Sequence, residues 1–312
     1  MSSSEPSTKK TRSFRAKTLE PAGVKFIRGN ERPDESAEAL WTSLRDFKNV
    51  FPRNLSLAPT LQDTEGVPSN TFGSNSVLDE TTSLELIKLS ERVADSADRC
   101  STESYIEASW RSDCHNHALS LVREEGQGKI VVLPEEEWQA ITVPPDVILS
   151  KTKPDYSIGY RFNRNSPLHS DLLRANTHRG LDPFINEART LAFPLAVAES
   201  KSNLGTSFEA DNQCAENAIK MLYKLSKLGG PAANLPVVCM ALVGRFFTIY
   251  IGTTSFETSS TIYRIHKMWS GDVSVLWPSV QFQFILWKLA RWIRTIALNA
   301  ILQSMHTFVA ED

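Results

Sequence analysis

The segment Phe193-Pro-Leu-Ala-Val-Ala-Glu-Ser-Lys201 decides how the chain is read. Phe193 to Ala198 is a continuous apolar run, the pattern of a strand covered on both faces rather than one with a wet side. The run ends directly in Glu199-Ser200-Lys201, so two charged side chains stand where a buried strand leaves the core. Side chains two apart on a strand share a face, which puts Glu199 and Lys201 side by side. A periodic helix follows from about Ser207 to Leu228, carrying Ala210, Cys214, Ala218, Met221, Leu222 and Leu225 and closed by Gly229-Gly230-Pro231.

Working outward, Lys153 to Phe162 alternates as Tyr156, Ile158, Tyr160, Phe162, a strand pattern that Pro154-Asp155 opens. Metal-assisted phosphodiester hydrolysis needs hard oxygen ligands, an activated water and positive charge beside the phosphorus. Asp155 and Glu199 suit the ligand places, with the Ser200 carbonyl as a further ligand. Lys201 suits a group that deprotonates or orients the water, or stabilises the transition state. Letters alone do not select them, since Pro33-Asp34, Pro145-Asp146 and Asp46-Phe47-Lys48 offer the same chemistry. Context does: Asp46 and Lys48 fall in a helical pattern, and only Pro154-Asp155 opens an alternating strand. The plain alternative is an ordinary strand-end ion pair.

The rest of the chain supplies helices and strands around this centre. Ala37, Leu40, Trp41, Leu44 and Phe47 predict a helix after Asp34, which can cap it. Residues 51 to 81 read as a loop or linker. A capping box, Thr82 with Glu85, opens a helix through Leu84, Ile87, Leu89 and Val93, and a second starts near Ser104 and stops at Gly126. Strands are expected at Lys129 to Leu133, Pro236 to Val243 and Phe246 to Gly252, with Thr261 to His266 as an edge strand and a terminal helix from about Ser279 to His306. Residues 163 to 190 form an unusually long loop containing His169 and His178 with Arg164, Arg174 and Arg179. The order describes an α/β fold with a mixed central sheet flanked by helices.

The residues Pro154-Asp155 and Glu199-Ser200-Lys201, in this context, resemble the PD-(D/E)XK nuclease superfamily over about residues 104 to 252, and Phe193-Pro194-Leu195 with the Asp211-Asn212-Gln213 helix resembles its uncharacterised fungal branches. The resemblance implies a restriction-endonuclease-like core of a helix, a three-strand meander, a helix and a further strand. It implies Asp155 and Glu199 as ligands of Mg²⁺ or Mn²⁺, Lys201 as the catalytic lysine, and DNA or RNA as substrate. It also implies a further acid on the first core helix, carried to Glu107 although Asp113 lies on the same helix, and makes Gln213 a substrate-contact candidate. Members of the superfamily also decay into binding modules, so a catalytically inactive nuclease-fold module for nucleic acid or protein is the alternative.

With 312 residues and 41% hydrophobic content, one substantial core is affordable. The expected divisions are a disordered basic tail (1–33), a helical extension with a linker (34–103) and the nuclease-like domain (104–306). A net charge of −2 confines any nucleic-acid surface to a patch. The tail places Lys9, Lys10, Arg12, Arg15 and Lys17 among hydroxyl residues, a nuclear-import or nucleic-acid contact pattern. It lacks the apolar region of a secretory signal, giving an intracellular expectation, nuclear or cytoplasmic. Cys100, Cys114, Cys214 and Cys239 lack metal-ligand spacing and are expected to be reduced packing residues. Lys288, Arg291 and Arg294 interrupt the apolar stretch Phe282 to Leu302, so no membrane span is expected there, and its basic aromatic helix should dock on the sheet. His115 and His117, two apart on a helix, point apart and should share no metal.

Overall fold

The computed structural model describes residues 12–27, 31–55, 61, 64, 66–103, 106–161, 169–170, 172–174, 182, 185–186, 189–257 and 260–310. Most of the expected 163–190 loop lies outside them, as do Lys9 and Lys10 of the expected tail. In chain order the elements are a π-helical turn Arg15–Leu19, β1 (Val24–Ile27), α1 (Glu35–Arg45), β2 (Phe51–Pro52), β3 (Phe72–Gly73), α2 (Glu80–Thr102) and α3 (Glu107–Trp110). There follow α4 (Asn116–Ala118), α5 (Ser120–Glu125), β4 (Ile130–Pro134), β5 (Ile141–Val143), β6 (Val147–Leu149), β7 (Tyr156–Arg161) and β8 (Leu191–Lys201). The chain then runs through α6 (Ser207–Leu228), β9 (Val237–Val243), β10 (Phe246–Glu257), β11 (Ser260–Asp272), α7 (Leu276–Trp292) and α8 (Leu298–Ala310).

Among the described residues one sheet of seven strands runs in the order β1-β11-β10-β9-β8-β7-β4. It is mixed: β8 and β9 pair in parallel, as do β1 and β11, and the other neighbours are antiparallel. Strand β8 is paired on both sides and buried along nearly its whole length, as its apolar run requires. Pro194 lies inside this central strand, where a missing N–H normally breaks a ladder. The chain accommodates it with a bulge: the β7–β8 register shifts between Ile158 and Tyr160, and Phe193 takes a positive φ of 41°. Gly159 faces that bulge, and a Cβ there would come within 2.8 Å of the Pro194 backbone.

Helices cover both faces. Glu199 reaches Asn217 on α6, whereas the next residue, Ser200, reaches His115 between α3 and α4. Alternate side chains leave a strand on opposite faces, so α6 lies on one side and the 107–125 helical segment on the other. That segment starts at Glu107 rather than at Ser104, which lies outside the described residues, and a π-helical turn at Arg111–His115 interrupts it. Such a turn inserts a residue into the helical repeat and re-aims the side chains beyond it.

Several expectations change. The segment assigned to a disordered tail carries β1, which pairs with β11, so Thr261 to His266 belongs to an interior strand and not to an edge. Arg15 is packed: its guanidinium lies 3.9 Å and 4.1 Å over Phe26 and Phe208, and it donates to Asn212 at 2.9 Å. Asp34 occupies the N-cap position of α1 but makes no capping bond, because its carboxylate pairs with Arg264 at 2.5 Å. Helix α2 is capped by Asp79, which accepts from the Thr82 N–H at 2.7 Å, so Thr82 is a donor inside the helix and not the cap. Residues of α1 and α2 share the main core with the sheet. A second cluster packs Phe51 and Phe72 from the linker region and Leu86 of α2 against Trp277, Phe284 and Trp287 of α7. That contact explains the docked C-terminal helix, whose Lys288 donates at 2.6 Å to the Ser43 and Asp46 carbonyls. All four cysteines are free and buried. Among the described residues no helix is long and apolar enough to cross a membrane.

Candidate functional site

The pair Tyr156–Ala198 in the β7–β8 ladder sets Asp155, one residue earlier, beside Glu199, one residue later. The long gap between them in sequence therefore separates neighbouring strands. Both carboxylates are buried, Asp155 at 8% and Glu199 at 3% exposure. Asp155 Oδ2 accepts the Ser200 N–H at 2.7 Å, and Oδ1 accepts Arg111 Nη1 at 2.9 Å. Arg111 also donates to Glu135 at 2.5 Å, which holds the Glu135 carboxyl below its ordinary range together with Lys153. Glu199 Oε1 accepts Asn217 Nδ2 at 2.6 Å. Burial first, and then the charge of Asp155, push the Glu199 carboxyl well above its ordinary range, against the pull of Lys201 and Asn217.

Lys201 is the last residue of β8 and its ammonium stands 3.9 Å from Glu107 Oε1. Glu107 begins α3, so of the two acids proposed for this helix it is the one beside the lysine. Asp113 instead accepts from its neighbour Ser112 at 2.7 Å. The turn after Lys201 is tight: a Cβ at Gly205 would fall 2.5 Å from Lys201 Cβ, so only glycine lets α6 start this close to the strand end. Gln213 lies on α6 one turn before Asn217, and its Oε1 is buried without a hydrogen-bond partner among the described residues.

Ser200 contributes through its backbone and its side chain separately. A strand residue aims its N–H and C=O at the same edge, so the Ser200 carbonyl faces the Asp155 side, beyond the start of β7. Its hydroxyl lies 2.6 Å from His115 Nδ1, and His115 Nε2 lies 3.2 Å from the Gly244 carbonyl. A carbonyl can only accept, so Nε2 carries the proton and Nδ1 accepts from Ser200. Burial pushes His115 down to about 4 and keeps it neutral. His117 is exposed and shares nothing with it.

A cleft of about 330 Å³ opens beside Asp155, lined by Ala108, Arg111, Ser112, Asn116, Glu135 and Tyr156 among others. Among the described residues no three His, Cys, Asp or Glu side chains gather into a metal cluster. The oxygen donors at this strand end are two carboxylates and a backbone carbonyl, a hard-oxygen set of the kind Mg²⁺ takes when water completes its shell.

Of the residues singled out in the sequence, Asp155, Glu199, Ser200 and Lys201 stand at one end of the sheet, with Glu107 3.9 Å from Lys201; the sequence reading did not single out the roles of three others, Arg111, His115 as a strut, and Asn217. The signal available for Asn217 was the placing of Glu216, Asn217 and Lys220 among the apolar positions Cys214, Ala218 and Met221 of the predicted helix; all three polar residues are buried. Compared with protein-family models and with curated proteins, the chain matches none.

Proposed function

We propose that the chain is a restriction-endonuclease-like protein that hydrolyses phosphodiester bonds in DNA or RNA with Mg²⁺ or Mn²⁺. The observation that carries this reading is the β7–β8 register, which sets Asp155 beside Glu199 with Lys201 on the same strand end. The succession of a helical segment, β4, β7 and β8 as an antiparallel meander, α6 and the parallel strand β9 supports the core type. A divalent ion held by Asp155, Glu199 and the Ser200 carbonyl would supply Lewis-acid activation of water and phosphate. The chain's own part is to hold the carboxylates in a dry strand end and to keep the Lys201 ammonium beside them, where negative charge on phosphorus would develop.

One observation favours the second reading, a catalytically inactive nuclease-fold module. Both oxygens of Asp155 are already bonded within the chain, one of them to a cationic guanidinium. Incubating the purified chain with single- and double-stranded DNA and RNA in Mg²⁺ or Mn²⁺ separates the two. Cleavage that chelator stops and Asp155→Asn abolishes is the expected result. Absence of cleavage with every substrate, or equal cleavage by the variant, would leave the inactive module.

A further inference from the structure

Helix α6 is polar where it is buried. Glu216, Asn217 and Lys220 are exposed by only 5%, 1% and 0%, and three- and four-residue spacing puts Gln213, Glu216, Asn217 and Lys220 on adjoining rows of one face. A lysine taken fully out of water needs each donor matched. Lys220 Nζ donates to the Ser150 carbonyl at 2.5 Å and to Thr152 Oγ1 at 2.9 Å, and Glu216 nearby supplies the offsetting charge and accepts from the Ser150 hydroxyl at 3.4 Å.

The bonds that follow run in one direction, from Lys220 to Glu199. An ammonium has donors only, so Thr152 Oγ1 accepts from Lys220 and its own proton must point elsewhere. It goes to Asn217 Oδ1, at 2.9 Å. With Oδ1 used as an acceptor, the amide can turn only its Nδ2 toward Glu199, and that contact is 2.6 Å. A reversed amide would set one oxygen against another at Glu199 and leave the Thr152 proton without its acceptor.

We propose that Asn217 is the positioning residue for Glu199, and that Lys220, acting through Thr152, fixes which way the Asn217 amide points. Oε1 of Glu199 is thereby committed, and Oε2 is the oxygen left for a cation. The inference rests on the metal-site reading of Asp155 and Glu199 and goes beyond it, because it assigns the orientation of the ligand to residues that touch no cation.

Thr152 is the link to test, since valine removes its hydroxyl at nearly constant volume and serine keeps it. Lys220 retains the Ser150 carbonyl in both variants. Mn²⁺ affinity of the full chain, measured by calorimetry beside thermal unfolding, should fall about tenfold to a hundredfold in Thr152→Val, the usual effect of losing an outer-shell partner. Thr152→Ser should stay within about threefold of the unmodified chain, inside the lower bound of that effect. Unmodified Mn²⁺ binding in Thr152→Val overturns the proposal and leaves the metal site standing. Equal loss in the valine and serine variants also overturns it, as a packing effect. Absence of Mn²⁺ binding by the unmodified chain overturns the metal-site reading and this proposal together.

Discussion

Lys201→Ala is expected to lower divalent-dependent cleavage by about a hundredfold to ten-thousandfold, the range for a positioned proton-transfer or charge-stabilising group. The lysine ends β8, carries one face of the strand end with Glu199 and, among the described residues, is otherwise held by a loose 3.9 Å ion pair with Glu107. A pair of that length with a half-exposed partner contributes little to stability, so circular dichroism and thermal unfolding should change only slightly. Lys201→Arg separates the two roles the lysine could fill. Arginine keeps the positive charge and cannot act as a base in proteins. Substantial activity in Lys201→Arg identifies charge stabilisation, and loss as deep as in Lys201→Ala identifies proton transfer or exact placement of a small ammonium. Initial rates at saturating Mg²⁺ read the difference. Retention of full activity in Lys201→Ala would reduce the lysine to a structural partner of Glu107 and remove it from the proposed mechanism.

What was legible in the sequence was local. The apolar run Phe193 to Ala198 announces a strand buried on both faces, and the structure extends that strand through Lys201. The bounds Ser207 and Leu228 follow from hydrophobic spacing and from the glycines that stop the helix, and α6 has those bounds. What was not legible depends on distant partners. The four residues of β1, Val24 to Ile27, follow the basic, hydroxyl-rich stretch and are too few to set up an alternation, and their strand state comes from pairing with residues far along the chain, Tyr263 to His266. The β5–β6 hairpin spans only three residues on each side, with Pro144-Pro145 and Asp146 between them, too short to set up an alternation. Arg111 looked like an ordinary helix residue, because nothing in spacing foretells the π-helical turn from which it reaches Asp155. The site shows the same division. Residue types and strand ends could be read in one dimension, whereas the hydrogen bonds that orient them could not.

His115→Ala should cost about 3 to 5 kcal/mol of stability, the largest loss expected from a single side chain at this site. The ring is fully buried and packs edge-on to Phe247 at 5.3 Å between centroids, so truncation leaves a cavity. Truncation also strands two buried polar groups, the Ser200 hydroxyl and the Gly244 carbonyl. Because Gly244 in turn donates its N–H to the Lys201 carbonyl at 2.8 Å, the histidine braces the end of β8 against the β9–β10 turn. His115→Phe fills the space but restores neither bond, and should recover part of the loss. Acid should reveal the same residue. The folded chain holds His115 neutral down to about pH 4, whereas the unfolded chain takes up a proton near pH 6.5. The unfolded state therefore binds more protons between those values, and the His115 contribution is complete above pH 6.5 and lost as pH falls toward 4. A tenfold change per pH unit makes that loss about 3 kcal/mol across the window. Denaturant unfolding of the unmodified chain and of His115→Phe at pH 7 and pH 4.5 reads it, and the gap between the two proteins should narrow at the lower pH. A gap that stays constant would mean that the ring is not held neutral, and that the bracing bond from Ser200 does not depend on its Nδ1 lone pair.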